Sequence, residues 1–114
     1  MVTNGNNNQM SREKLLFGKK LRQFRKLAKL NQIDLATELG YKDGSSAISQ
    51  IERGLKGMQQ DKLLKLSEVL GVPTAVLFSQ DEYTDEQAKM ILAFFKLIKQ
   101  PRHPHYEAVR TLLK

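Results

Sequence analysis

Residues Gln32–Gly54 read QIDLATELGYKDGSSAISQIERG, and this stretch decides the fold. Its first part places Ile33, Leu35, Ala36 and Leu39 at helical spacing and ends on Gly40, a residue suited to the left-handed position just past a helix end. Its last part, AISQIERG, carries Ile48 and Ile51 three apart on one face and stops at Gly54. Between them, GYKDGSS is turn chemistry: two glycines, an aspartate and two serines. Ala36 is small where a crossing helix must come close, Leu35 and Ile48 fill the space under the turn, and Ile51 ties the second of the two helices to a core. With those positions inward, Ser45, Ser46, Ser49, Gln50 and Arg53 must face elsewhere. Short polar groups at a helix start, with a long amide one turn later, suit the reading of base edges in a major groove.

Upstream, Ser11 is placed as an N-cap. From Arg12 to Lys29 the apolar residues Leu15, Leu16, Leu21, Phe24, Leu27 and Ala28 follow helical periodicity, with Lys14, Lys19, Lys20, Arg22, Lys26 and Lys29 around the remaining, solvated surface. Residues 1–10 are asparagine-rich, lack core formers and read as a disordered tail. Downstream, LKGM is a loop. A helix from about Gln60 to Leu70 turns Leu63, Leu64, Leu66, Val69 and Leu70 inward and stops at Gly71. Pro73 suits the first turn of a short fifth helix through Ala75 to Phe78. Thr84 and Gln87 have the form of a capping box, and a sixth helix runs from there to about Lys99. Pro101 and Pro104 break it, and Tyr106, Val109, Leu112 and Leu113 mark a final helix. No strand pattern is present, so the expected fold is all-α.

The chain has 114 residues and a net charge of +7, with no cysteine. That length supports one modest core, and the lack of cysteine removes disulfides and thiolate metal sites. No apolar run is long enough to span a membrane and no signal region opens the chain, so a cytoplasmic protein with no membrane partner is expected. Residues 1–29 hold eight Lys/Arg against one Glu, while the rest of the chain is nearly balanced. A basic first helix points to a face aimed at phosphates. His103 and His105 flank Pro104 without nearby carboxylates and read as surface or a helix cap, so no metal and no cofactor are expected. Nothing pairs a nucleophile with a base or forms a phosphate loop, which argues against an enzyme.

The run GKKLRQFRKLAKLNQIDLATELG…AISQIERGLKG…DKLLKLSEVLGV resembles the Cro/repressor-type (XRE) helix-turn-helix family over roughly residues 14–78. The matching positions include Gly18, Leu21, Arg22, Arg25, Gln32, Leu35, Ala36, Gly40, Ile48, Ile51, Glu52, Gly54, Leu63, Leu66, Leu70 and Val72. The resemblance implies a five-helix lambda-repressor-like DNA-binding domain over residues 11–79, followed by two C-terminal helices over residues 80–114. It implies that Ser45, Ser46 and Gln50 touch bases, and Ser49, outward on the same helix, is expected beside them. Gln32 and Asn31 at the start of the second helix, and Arg53 and Lys56 after the third, would touch phosphates. Arg25 and Glu52 match a buried, structural ion pair. Three departures stand out. The turn is two residues longer than the commonest form, as in phage-repressor-like members with a Tyr-Lys-x-x-Ser-Ser stretch, which adds Tyr41 and Lys42 as phosphate contacts. Met58 and Gln59 stand where proline is usual, and Ser67 stands where alanine is preferred.

The sixth helix is apolar on more than one face. Ile91, Leu92, Phe95 and Ile98 form one stripe, and Met90, Phe94 and Leu97 extend it. A homodimer interface over Met90, Ile91, Phe94, Phe95, Leu97 and Ile98 is the economical expectation, the alternative being that the final helix folds back over the second stripe within one monomer. The function expected from all of this is a homodimeric, sequence-specific regulator of double-stranded DNA, a repressor reading an inverted repeat. The rival is a protein-interaction module, an antitoxin or adaptor, whose C-terminal helices capture a partner protein.

Overall fold

A computed structural model describes the backbone of residues 2–99 and the side chains of residues 12–99. Helices occupy Val2–Leu27 (α1), Gln32–Leu39 (α2), Ser46–Glu52 (α3), Gln60–Leu70 (α4), Thr74–Phe78 (α5) and Asp85–Ile98 (α6), with no strand among the described residues. The final helix expected around Tyr106–Leu113, with Pro101, His103, Pro104 and His105, lies outside them.

The core explains why these segments are helical. Phe17, Leu21 and Phe24 of α1 meet Leu35, Ala36 and Leu39 of α2, Ile48 and Ile51 of α3, Leu66 and Leu70 of α4, Leu77 of α5 and Ala88 of α6. Each set repeats at three or four residues, so each helix contributes one stripe to a common interior. Gly40 takes the left-handed conformation, φ 82°, and lets the chain turn out of α2; the Tyr41 N–H then donates back to the Ala36 carbonyl at 2.9 Å. A side chain with a Cβ at Gly40 would be strained there. Ser67, where the resembled family prefers alanine, donates its hydroxyl to the Val72 carbonyl at 2.8 Å and closes the end of α4. Met58, in the usual proline position, packs against the core instead.

Several expectations are corrected. The helical backbone of α1 begins at Val2, so the first residues are not the unstructured tail expected and Ser11 is internal rather than a cap. Adding turns to a formed helix needs no new nucleus, which lets an extension run through residues of poor propensity. The buried stripe of α1 is Phe17, Lys20, Leu21 and Phe24; of the apolar residues expected there, Leu21 and Phe24 are in it, whereas Leu15 is 46 % exposed. Lys20 is therefore core, not solvated surface. Leu64 sits nearly opposite Leu66 around α4 and is exposed, and Ile33 lies off the Leu35, Ala36, Leu39 stripe and is exposed as well. Pro73 is the N-cap of α5, one position earlier than its first turn.

The sixth helix starts with the capping box read from the sequence: the Gln87 N–H donates to the Thr84 hydroxyl and the Thr84 N–H to the Gln87 side-chain oxygen. Its inner side, Ala88, Ile91, Leu92 and Phe95, packs on the same core. Ile91 and Phe95, expected at a subunit interface, are thus partly taken up within the molecule. Met90 and Phe94 remain exposed, and Leu97 and Ile98 are half-buried. Among the described residues, no helix is long and apolar enough to cross a membrane.

Candidate nucleic-acid interface

The α2–turn–α3 unit is held on α1 by a glycine contact and a charged contact. At Gly18 the α1 backbone approaches α3 so closely that a Cβ would sit on the Ile51 carbonyl oxygen and 2.6 Å from that of Glu52. About two turns further along α1, Arg25 reaches across to Glu52. Its Nε donates to Oε2 at 2.6 Å and its Nη2 to Oε1 at 3.1 Å, while Nη1 donates to the Leu30 carbonyl at 2.8 Å. The two side chains are 8 % and 4 % exposed. A fork-to-fork pair this enclosed fixes both distance and orientation. Gln32 joins it, its Nε2 donating to Glu52 Oε1 at 3.0 Å. Glu52, at the end of α3, thus gathers donors from α1 and from the first residue of α2.

The start of α2 is built to accept something from outside. Asn31 caps the helix, its Oδ1 accepting from the Asp34 N–H at 2.7 Å, and the Asn31 N–H donates to the Asp34 carboxylate at 3.3 Å. This box uses the Asn31 side chain, so what it can offer a phosphate is reduced. By helix geometry the N–H groups of Gln32 and Ile33, in the first turn, still point out of the helix end. They open on a groove lined by Arg25, Asn31, Gln32, Ile33 and Ser45.

Helix α3 divides cleanly. Ala47, Ile48 and Ile51 are buried, whereas Ser46 and Arg53 are exposed and Ser45, Ser49 and Gln50 are partly so. Ser45 occupies the N-cap position without using its side chain as a cap. Its hydroxyl is left for another partner. Gln50 Nε2 donates to the Ser46 hydroxyl at 3.2 Å, so the two groups expected at base edges lie side by side. The turn before α3 carries an exposed Lys42. Tyr41, expected beside a phosphate, packs its ring against the core, with Lys62 Nζ 5.3 Å from the ring centre. Burial, and then the Asp61 carboxylate, push its phenol above the ordinary 10.0. Lys56 is exposed beyond Arg53.

The positive charge of α1 is less concentrated on this surface than its composition implies. Lys19, Arg22 and Lys26 line a different cleft of about 450 Å³ together with Glu82, Asp85 and Lys89 at the start of α6. Lys19 lies 3.6 Å from Glu82 there. Among the described residues no group of three His, Cys, Asp or Glu side chains could hold a metal.

Two features of this surface are not announced by residue type: the tie of Gln32 to Glu52, which has no signature in spacing, and the exposure of Ile33, which only its phase off the Leu35, Ala36, Leu39 stripe signals.

No curated protein and no solved structure matches the chain. A helix-turn-helix family model does match, over residues 21–77, half of the chain, and that span holds the Arg25–Glu52 pair, the capped start of α2 and all of α3. With the buried scaffold, the capped α2 and the polar outer side of α3 falling inside that match, the chain belongs to the XRE-type helix-turn-helix family, whose domain is that of a DNA-binding transcriptional regulator.

Proposed function

We propose that this protein is a homodimeric repressor that inserts α3 into the major groove of an inverted-repeat operator, in the manner of phage-repressor-like members of its family. The observation that carries the reading is the division of α3: one side is locked to α1 through Gly18, Arg25 and Glu52, and the other offers Ser45, Ser46, Ser49 and Gln50 without apolar cover. These four side chains read bases. The open N–H groups at the start of α2, with Gln32 and Asn31 beside them, meet one phosphate. Lys42, Arg53 and Lys56 meet others, and Tyr41 supports the turn that carries Lys42. Occupancy alone blocks polymerase, which makes repression the simplest outcome, and the site of action is the cytoplasm.

The exposed Met90 and Phe94, flanked by half-buried Leu97 and Ile98, supply the surface for a second copy. Two domains related by a two-fold axis would then reach half-sites roughly 34–36 Å apart. The competing reading, capture of a different protein, rests on the same α6 surface, and solution mass separates the two.

The test is selection of bound sequences from random and genomic DNA. The expected result is an inverted repeat whose preference changes with Gln50→Ala or Ser46→Ala. Lys42→Ala, Arg53→Ala and Lys56→Ala should instead weaken binding to all sequences and reduce the salt slope by about one each. Sequence preference that survives Gln50→Ala and Ser46→Ala together refutes the base-reading assignment.

A further inference from the structure

Beside the polar side chains assigned to bases stands an isoleucine. Ile33, the second residue of α2, is 58 % exposed and lines the open groove between the starts of α2 and α3 with Asn31, Gln32 and Ser45. A single exposed apolar side chain is ordinary on a protein surface; its address is what matters here. Among the described residues the other large exposed apolar side chains, Leu15, Leu55, Leu64, Phe78, Met90 and Phe94, lie on α1, the α3–α4 loop, α4, α5 and α6. The inner side of α2 is complete without Ile33, since Leu35, Ala36 and Leu39 fill it.

The residue is also held still. Asn31 and Asp34 cap the turn it belongs to, and its carbonyl accepts from the Thr37 hydroxyl at 3.0 Å. A β-branched side chain in a helix has one strongly preferred rotamer, so the direction of its methyl groups is set in advance. A stiff apolar knob next to a serine hydroxyl that caps nothing calls for a surface that is apolar at one point and polar at the next. In the major groove one base offers such a point: thymine, through its C5-methyl group.

We propose that Ile33 is a specificity-determining residue, packing against the C5-methyl of a thymine adjacent to the base addressed by Ser45. This rests on the orientation of α2 and α3 proposed above. It adds a contact from the second helix to a readout otherwise confined to the third.

The experiment uses the full chain and the duplex it selects, with each thymine replaced in turn by deoxyuridine, which removes the methyl and leaves every hydrogen-bonding group. At one thymine in each half-site the replacement should weaken wild-type binding about four-fold, the worth of one buried methyl. Ile33→Ala should bind the thymine and uracil duplexes equally at that position while keeping the preference set by Ser46 and Gln50. A selected sequence whose thymines all tolerate uracil overturns the inference and leaves the DNA-reading assignment intact. So does unchanged discrimination by Ile33→Ala. Failure to select any sequence overturns both.

Discussion

Two cations are buried on α1, five residues apart, and they face different regions of the molecule. Arg25 looks toward the α2–α3 unit and meets a carboxylate in a two-pronged pair, with its third donor on the Leu30 carbonyl. Lys20, 2 % exposed, looks toward the α5–α6 connection. It donates to the Ser79 carbonyl and, at 2.7 Å, to the Ser79 hydroxyl, and it lies 4.9 Å from the centre of the Tyr83 ring. No carboxylate touches it among the described residues. Desolvation lowers its pKa below 10.5, and Asp81 and Glu82 only partly oppose this. The Arg25 seam has one workable geometry, because a planar fork meets a planar acceptor. The Lys20 seam is made of a rotatable ammonium, a carbonyl and a ring face, joined by Gln23 Nε2 donating to the Tyr83 carbonyl at 2.8 Å. The first suits a helix that must present side chains to a fixed grid of bases. The second suits the attachment of a C-terminal helix whose angle need not be exact to within a bond length.

The comparison is broken most directly at Glu52. Glu52→Ala leaves the Arg25 guanidinium buried without its carboxylate and should cost about 3–5 kcal/mol in denaturant unfolding, while Arg25→Met with Glu52→Leu should recover most of the loss. A cost for Glu52→Ala below about 1 kcal/mol would place this seam in the same class as an exposed ion pair. Gly18→Ala is the next largest. The added methyl has backbone on its far side rather than a side chain that can swing away, so α3 must shift. An overpacking cost of about 1–3 kcal/mol is expected. The sharper readout is DNA affinity measured where the variant is fully folded: affinity should still fall, because the reading helix has moved.

At the other seam the expected effect is smaller. Lys20→Met removes a partner from the Ser79 carbonyl, a loss of about 1–3 kcal/mol for a buried acceptor, but also removes a desolvated charge. A net cost of about 1 kcal/mol or less follows at neutral pH, with site preference on DNA unchanged. The pH dependence has a definite sign. The folded-state pKa of Lys20 is lowered, so its contribution is full above 10.5 and is lost as pH falls through the folded value. The stability advantage of wild type over Lys20→Met should therefore widen as pH rises toward 10.5.

The same pair of cations shows what could be read in advance. Helix existence and most of the ends were legible, because Gly40 and Gly71 sit in left-handed conformations and Thr84 with Gln87 forms a box that local chemistry dictates. The partnership of Arg25 with Glu52 was available only through family resemblance, since 27 positions separate the two in sequence. Lys20 is not legible from residue type, because lysine signals water. Its spacing from Phe17, Leu21 and Phe24 nevertheless places it in the buried stripe, and its stem packs like a hydrocarbon while the amine finds a carbonyl. Ile33 is the converse, an apolar residue whose phase puts it outside. In both cases register, not residue type, decides burial. What lay beyond the reach of sequence was the competition for side chains: Asn31 used up as a cap and Tyr41 as core.

Tyr41 gives the smallest predicted effect and a useful control. Its phenol is raised above 10.0 by burial and by Asp61, so the stability linked to it is complete below 10.0 and is lost as pH rises through the folded value. That is opposite in sign to Lys20, and the two windows meet only near the ordinary values: the Lys20 gain lies below 10.5 and the Tyr41 loss above 10.0. In wild type the two together should give a rise followed by a fall. Removing one at a time separates them. Tyr41→Phe should change stability at neutral pH by less than about 1 kcal/mol, since the ring is kept. It should then abolish the alkaline loss, leaving a curve that rises with pH under the remaining influence of Lys20. Lys20→Met should leave the falling curve of Tyr41 alone. If both variants bend the curve the same way, the ammonium is not desolvated in the folded protein, and the distinction between the two α1 seams collapses to one of geometry.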